Sequence, residues 1–424
     1  MTPTTHFDLT PWLCLVLGSI ALTSTPLGCK SDHPPSPNNT AAGSARASAP
    51  KVSTSSARKP KVPPATAPGP SWNPSVGTRQ DITDLAADAY HVAIGDVDGD
   101  GQGDLVFVDG QRIRVVTPSG RLVGEAEVSA GIQVLRTTDL DGDGRAEIVA
   151  GWGRSRHHPT ATTRVTVHRL QGNTLREEVI VAPTTTRPDV ATIVPTAKNS
   201  LAIAYFDSKY EVNLVHAHRQ QARWTLETLG QVRMAMSLAW GDVDGDGSSD
   251  LVVGRVYGET QGGDGDAFIL KAKGQRTVLP TLRGVRGLAV ADMDGDGKSE
   301  IYLGDGWHQD YGKQAKGLLS RITWAGGEYR KEVVEDTAGQ YTLWDIFPAD
   351  IDGDGSKELI TRGSAYVRAY RFRKGRWQAV AFGGMSRGIA VGPLDGSAGD
   401  EVVLLGNRCE VVSLLDVNWA DIER

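Results

Sequence analysis

A nine-residue pattern, D-x-D-G-D-G-x-x-[DE], occurs five times in this chain, beginning at Asp96, Asp139, Asp242, Asp292 and Asp350. Neighbouring carboxylates repel one another, so a run this acidic belongs either to a solvated tail or to a loop closed around a cation. The flanks exclude the tail. In the first copy, alternating Val92 and Ile94 precede the run, and Leu105, Val106, Phe107 and Val108 follow it, so the segment reads as strand, acidic loop, strand.

The spacing between copies sets the architecture. First aspartates are separated by 43, 103, 50 and 58 residues, and a degraded copy, "GPLDGSAGDEVVLLG", follows 43 residues after the fifth. The interval of 103 is about twice the others and predicts a hidden copy near residue 192, with strands at 190–194 and 201–205 joined by a shortened loop at 195–200. That makes seven units. An aromatic opens the last strand-like segment of several of them, as with Trp224, Tyr329 and Trp377. About four short strands per unit of roughly 50 residues is the arithmetic of a β-propeller blade, which must stack on its neighbours to bury its faces. The expected fold is all-β, a seven-bladed β-propeller of four-stranded blades over residues 80–424, with either Trp72 or Trp419 marking the chain end that completes the last blade. The 50 glycines and low aromatic content agree with many strands and turns.

The donor set points to Ca²⁺. Carboxylates stand at positions 1, 3, 5 and 9 of each run and glycine at position 6, which overlaps the first half of an EF-hand loop, including the glycine of the sharp turn. Position 12 holds no Glu, and position 9 supplies the last carboxylate. Oxygen donors without His or Cys favour Ca²⁺ over zinc or copper, and the carbonyl at position 7 with water completes the shell. Five such ions would turn the formal net charge of −6 positive.

Strand-DxDGDGxxD-strand units in phase resemble the FG-GAP or VCBS-type repeats, best known from the seven-bladed propeller of integrin α-subunits. The resemblance spans about residues 89–424, although the "FG" and "GAP" letters are mostly missing. It implies about five structural Ca²⁺ ions in the loops between the first two strands of a blade. The implied ligands are Asp96, Asp98, Asp100 and Asp104 with the Gln102 carbonyl; Asp139, Asp141, Asp143 and Glu147 with Arg145; Asp242, Asp244, Asp246 and Asp250 with Ser248; Asp292, Asp294, Asp296 and Glu300 with Lys298; and Asp350, Asp352, Asp354 and Glu358 with Ser356. In the degraded copy Pro393 and Ser397 replace two ligands and leave only Asp395 and Glu401.

Ahead of the repeats lie two other segments. Residues 1–28 contain the apolar run "PWLCLVLGSIAL" and read as a signal peptide; Gly28-Cys29 resembles the end of a bacterial lipoprotein signal, with Cys29 as the lipidated residue. The n-region lacks Lys and Arg, and Pro26 stands where such signals usually carry Leu. Residues 29–79 are rich in Pro, Ser and Ala and read as a disordered tether. The expected protein is exported and held to a bacterial membrane or cell surface by a lipid anchor only. Cys14 and Cys29 would be removed and lipidated, which leaves Cys409 as an unpaired core residue. The acidic balance excludes a nucleic-acid footprint.

Two functions are compatible with this chain. One is a calcium-stiffened propeller presenting a protein- or glycan-binding face; the other is a carbohydrate-active lyase or dehydratase on the same scaffold, for which His157, His158, His308 and Asp310 are candidates. No nucleophile-base motif is recognisable, so no residue is assigned as catalytic. Loops alternate faces in a four-stranded antiparallel blade, so the binding face should lie opposite the calcium loops. Long loops at 152–163, 257–267 and 306–317 would bring Trp152, Tyr257, Trp307, His308, Asp310 and Tyr311 there, and the blade connections would add Arg233, Arg286, Tyr341, Trp344 and Arg387. Aromatic and Arg side chains gathered on one face are the types that dominate binding hot spots.

Overall fold

The computed structural model describes residues 73, 75–82, 89, 91–129, 131–153, 162–184, 189–207, 210–257, 265–271, 274–281, 284–305, 317–337, 342–406 and 408–421. The signal segment, Cys29, Trp72 and the expected tether up to residue 72 lie outside the described residues; the end of the expected tether is not disordered, because Thr78 and Arg79 belong to a strand paired with Val412 and Ser413. The described residues form 29 β-strands and no α-helix, and none of their elements is a helix long and apolar enough to cross a membrane.

Strands fall into consecutive antiparallel arrays, each running in sequence order from its first strand to its fourth. Repeat one holds Val92–Gly95, Asp104–Asp109, Arg112–Val116 and Leu122–Glu127, and repeat two Ile132–Thr138, Glu147–Trp152, Thr163–Gln171 and Thr174–Thr184. A single parallel bridge, Glu125 opposite Thr174, joins these two into one eight-stranded sheet. Repeat three holds Val190–Ala197, Ser200–Phe206, Glu211–Gln220 and Arg223–Arg233; repeat four Ala235–Gly241, Asp250–Arg255, Ala267–Leu270 and Arg276–Val278. Repeat five holds Val285–Ala291, Glu300–Asp305, Leu318–Ala325 and Glu328–Asp336; repeat six Leu343–Ala349, Glu358–Gly363, Val367–Arg373 and Arg376–Gly383. Repeat seven contributes only Gly388–Gly392, Glu401–Leu405 and Cys409–Ser413, and its fourth strand is Thr78–Asp81 from the other end of the chain.

Second strands such as "EIVAGW" and "DLVVGR" are buried along their whole length because each array packs against two others. In repeat one, Leu105 and Phe107 join Ala390, Val403 and Val411 of repeat seven, while Val106 on the opposite face joins Ile148 and Ala150 of repeat two. The same alternation continues: Val149 and Val167 meet Leu201 and Ile203, Ala202 and Leu214 meet Leu251 and Val253, and Val252 and Ile269 meet Ile301 and Leu303. Tyr302 and Leu319 then meet Leu359 and Tyr370, and Ile360 and Ala369 meet Val402 and Val412. A one-residue slip in any array would swap the residues it offers its two neighbours, so the period of two fixes register throughout.

Two expectations are refined. The N-terminal end, not the Trp419 end, completes the seventh array; Ala420–Asp421 instead adds a fifth strand to repeat six, and Trp419 packs between repeats six and seven. In repeat three the expected loop at 195–200 is mostly strand, closed by a tight turn in which Asn199 takes a positive φ of 57°. Trp224, Tyr329 and Trp377 each stand second in the fourth strand of their repeats, as the sequence pattern requires, and Cys409 is a buried free thiol.

Candidate metal loops and an arginine-lined cavity

Each acidic run links the first strand of its repeat to the second, and the chain is turned there by glycine. The position 6 glycines, from Gly101 to Gly355, have φ between 85° and 89°, a region closed to most side chains. Position 1 holds the turn from inside: Asp96 accepts the Gly99 amide at 2.7 Å on Oδ1 and the Gly101 amide at 2.8 Å on Oδ2, with the same pattern at Asp139, Asp242 and Asp292. Position 5 accepts the amide of position 7, as at Asp143 (2.8 Å) and Asp296 (2.9 Å). Position 9 begins the second strand and is buried in every copy. It accepts the position 2 amide, as in Leu140 N to Glu147 at 2.7 Å and Val97 N to Asp104 at 3.0 Å.

The expected ligands therefore converge. Asp292, Asp294, Asp296 and Glu300 bring ligand atoms within 4.8 Å of one another, as do Asp96, Asp98 and Asp104; Asp139, Asp141 and Glu147; and Asp242, Asp244 and Asp246. The donors fit a hard divalent cation on an independent ground. Asp141 Oδ1, Asp250 Oδ2, Asp352 Oδ1 and Glu358 Oε1 are buried without a hydrogen-bond partner, and all four belong to positions 3 or 9. An unpaired buried carboxylate oxygen is costly, and a cation at the loop centre would satisfy it. The same strain appears in the acidities. Burial, with Asp352 adding repulsion, pushes Glu358 up to about 8, and burial pushes Asp104 up to about 6, while Glu147, Asp250, Glu300 and Glu401 are also raised by burial.

Sequence spacing did not reveal that most loops carry a basic side chain from the third strand or just beyond it. Lys271 Nζ lies 2.7 Å from Asp244 and 2.8 Å from Asp250. Arg321 pairs with Asp294 and lies 2.9 Å from Glu300; Arg169 lies 3.2 Å from Glu147 and 3.7 Å from Asp141; Arg371 lies 3.2 Å from Asp352. In the first loop the neighbour is Arg121, mostly exposed and 3.5 Å from Asp98. In the degraded loop the position 9 carboxylate is satisfied from within the loop: Ser397 Oγ donates to Glu401 Oε1 at 2.8 Å, and Leu394 N donates to Glu401 Oε2 at 2.9 Å.

Several residues expected on the binding face are packed instead. Trp152 ends its strand 1 % exposed, donates from Nε1 to Thr166 at 2.9 Å and carries the Arg164 guanidinium over its ring. Tyr257 is buried in the core between repeats three and four, and Arg233 lies over Tyr210. Trp307, His308, Asp310, Tyr311 and Tyr341, with His157 and His158, lie outside the described residues.

Arg286, Trp344 and Arg387 are brought together. They line a cavity of about 510 Å³ bounded chiefly by the N-terminal halves of the first strands, away from the acidic loops. His91, Arg136, Asp345 and Arg362 complete its ionisable lining, giving four arginines to one carboxylate, with Gln133, Thr192 and Ser237 as neutral polar residues. Arg362 donates from Nε to Asp345 at 2.6 Å and from Nη1 to the Ser386 carbonyl at 3.1 Å. Arg136 donates to the Leu135 carbonyl at 2.8 Å. Arg286 and Arg362 lie 5.3 and 5.4 Å from the Trp344 ring. Burial, reinforced by Arg136 and Arg362, lowers the His91 pKa to about 4 and keeps the ring neutral beside the guanidinium groups. Arg136, Asp345 and Arg362 were legible only as charges interrupting the apolar strands "IQVLRTT", "LWDIFPA" and "ELITRG". The chain matches no protein-family model and no curated protein.

Proposed function

We propose that this chain is a calcium-held seven-bladed β-propeller of the FG-GAP or VCBS type that offers an anion-binding cavity at the end opposite its metal loops. Exported through residues 1–28 and anchored at Cys29, it would present that end to a protein or glycan ligand. The cyclic order of the cores supports the propeller, since repeat seven packs back on repeat one. One observation carries the functional reading: the two ends of the first strands are chemically opposite, with inward-turned carboxylates at one and four arginines at the other. Calcium would serve the scaffold, because the loops spend their donors on the ion and leave no position dedicated to substrate. Guanidinium forks match carboxylate, sulfate and phosphate oxygens, so acidic glycans and acidic side chains are the ligand chemistry that fits.

The test is a glycan array on the full chain in Ca²⁺, with uronate-bearing and sulfated glycans beside neutral ones. Capture of acidic glycans that weakens with salt is expected; equal capture of neutral glycans overturns the anion assignment. An unchanged melting temperature on chelation overturns the calcium assignment separately. Labelling with a palmitate analogue checks the anchor, which fails if Cys29→Ser still incorporates label.

A further inference from the structure

Repeat three lost its acidic loop, and at the same end it carries a different donor set. His216 and His218 are two apart on the strand Glu211–Gln220 and so share one face, and Glu227 on the neighbouring strand stands directly opposite His216. One ligand atom from each of the three lies within 4.8 Å of the others. The geometry points to a site for a divalent transition metal of the Zn²⁺ type, held by two imidazoles and one carboxylate, with water completing the shell.

Four observations support it. First, the two imidazoles already lie side by side, with ring centroids 4.7 Å apart in an edge-to-face arrangement. Second, His216 is oriented from behind. Its Nε2 shares hydrogen bonds with Ser200 Oγ at 2.7 Å and Thr196 Oγ1 at 3.0 Å, the second tier of contacts that fixes a metal-binding imidazole. The Trp240 ring stacks on it at 5.8 Å, which limits its rotation further. Third, among the described residues neither the His218 ring nor the Glu227 carboxylate has a hydrogen-bond or ion-pair partner, so neither must give one up to bind an ion. Fourth, the donors come from two strands paired in antiparallel register, with Glu227 exposed. Two nitrogens and one oxygen select a borderline ion over Ca²⁺, which takes six to eight oxygens.

The experiment uses Co²⁺ as a spectroscopic stand-in for Zn²⁺, added to the full chain saturated with Ca²⁺. The expected result is one Co²⁺ per chain with the intense visible bands of a low-coordinate site, displaced by Zn²⁺. His218→Ala and Glu227→Gln, both at solvent-accessible positions, should each weaken binding about tenfold or more. Asp244→Ala, in a calcium loop, should leave it unchanged. As a second readout, Zn²⁺ should raise the melting temperature of the parent and not of Glu227→Gln. The assignment is overturned by bands of hydrated Co²⁺ only, by binding that survives His218→Ala, or by a Zn²⁺-induced rise that persists in Glu227→Gln.

Discussion

Glu358 and Glu401 occupy the same position in successive loops, and the difference between them isolates what a cation would replace. Glu401 has both oxygens satisfied by Ser397 and Leu394, whereas Glu358 Oε1 is buried with Arg373 no nearer than 3.9 Å. Glu358→Gln should therefore depend on conditions. In chelator at neutral pH the carboxyl, with its pKa pushed up to about 8, is already largely protonated, so the substitution should leave stability nearly unchanged. With free Ca²⁺ at about one hundred times the dissociation constant, it should forfeit one site, worth about 2.7 kcal/mol. Urea unfolding in both buffers checks it, and a loss of the same size in each would mean that the side chain only packs. A second residue-scale prediction concerns His168, which is 1 % exposed and shares a hydrogen bond with Thr166. Burial, then Arg164, lowers its pKa to about 4 against the ordinary 6.5. Between these values the unfolded chain binds the extra proton, so the contribution of His168 is intact above pH 6.5 and is lost as pH falls through 4. His168→Gln should shrink the stability lost between pH 7 and 4.5, measured against the parent in one buffer; an equal loss would show that other groups carry the acid sensitivity.

At the scale of the element, the hairpins that bear the acidic runs were legible because three signals coincide: apolar flanks, glycines where φ is positive, and carboxylates at fixed spacing. The basic partners were not legible, because a residue such as Lys271 lies 27 positions from the Asp244 it neutralises and nothing in its local sequence distinguishes it. Nor was the closing strand. Its sequence, "TRQD", has no apolar alternation because it is an exposed outer strand held by backbone pairing and by Arg79 on Glu410 at 2.6 Å. The basic partners do predict a ranking of the loops. An ammonium between Asp244 and Asp250 competes with a divalent ion for the same oxygens, while the exposed Arg121 beside the first loop competes little. The loop at 242–250 should bind Ca²⁺ more weakly than the loop at 96–104. Lys271→Met keeps the aliphatic stem and should tighten the former several-fold, as read by calorimetric titration. A weaker site in the variant would mean that Lys271 orients the carboxylates and does not compete for them.

At the scale of the whole molecule, each array shares a core with the next and the seventh shares one with the first, and the seventh array is completed by a strand from the far end of the chain. Residues 78–81 pair with 410–413 in antiparallel register, and Ile82 N donates to the Cys409 carbonyl at 2.8 Å. Gly77, at φ 76°, passes so close to the Ser413 carbonyl that a Cβ would collide with it, so the approach of this segment is fitted to its partner. Removing it would expose the edge of Cys409–Ser413 and leave its backbone groups to water or to another chain. Deleting residues 1–70 should leave the melting temperature unchanged. Extending the deletion to residue 82 should remove about four backbone hydrogen bonds, at about 0.5–1.5 kcal/mol each, lower the melting temperature by several degrees and promote dimers through the open edge. A synthetic peptide spanning 73–82 should restore the temperature in trans. If the longer deletion melts with the shorter one and stays monomeric, the segment is an appendage, and repeat seven is held to repeat one by Val403, Leu105 and their neighbours alone.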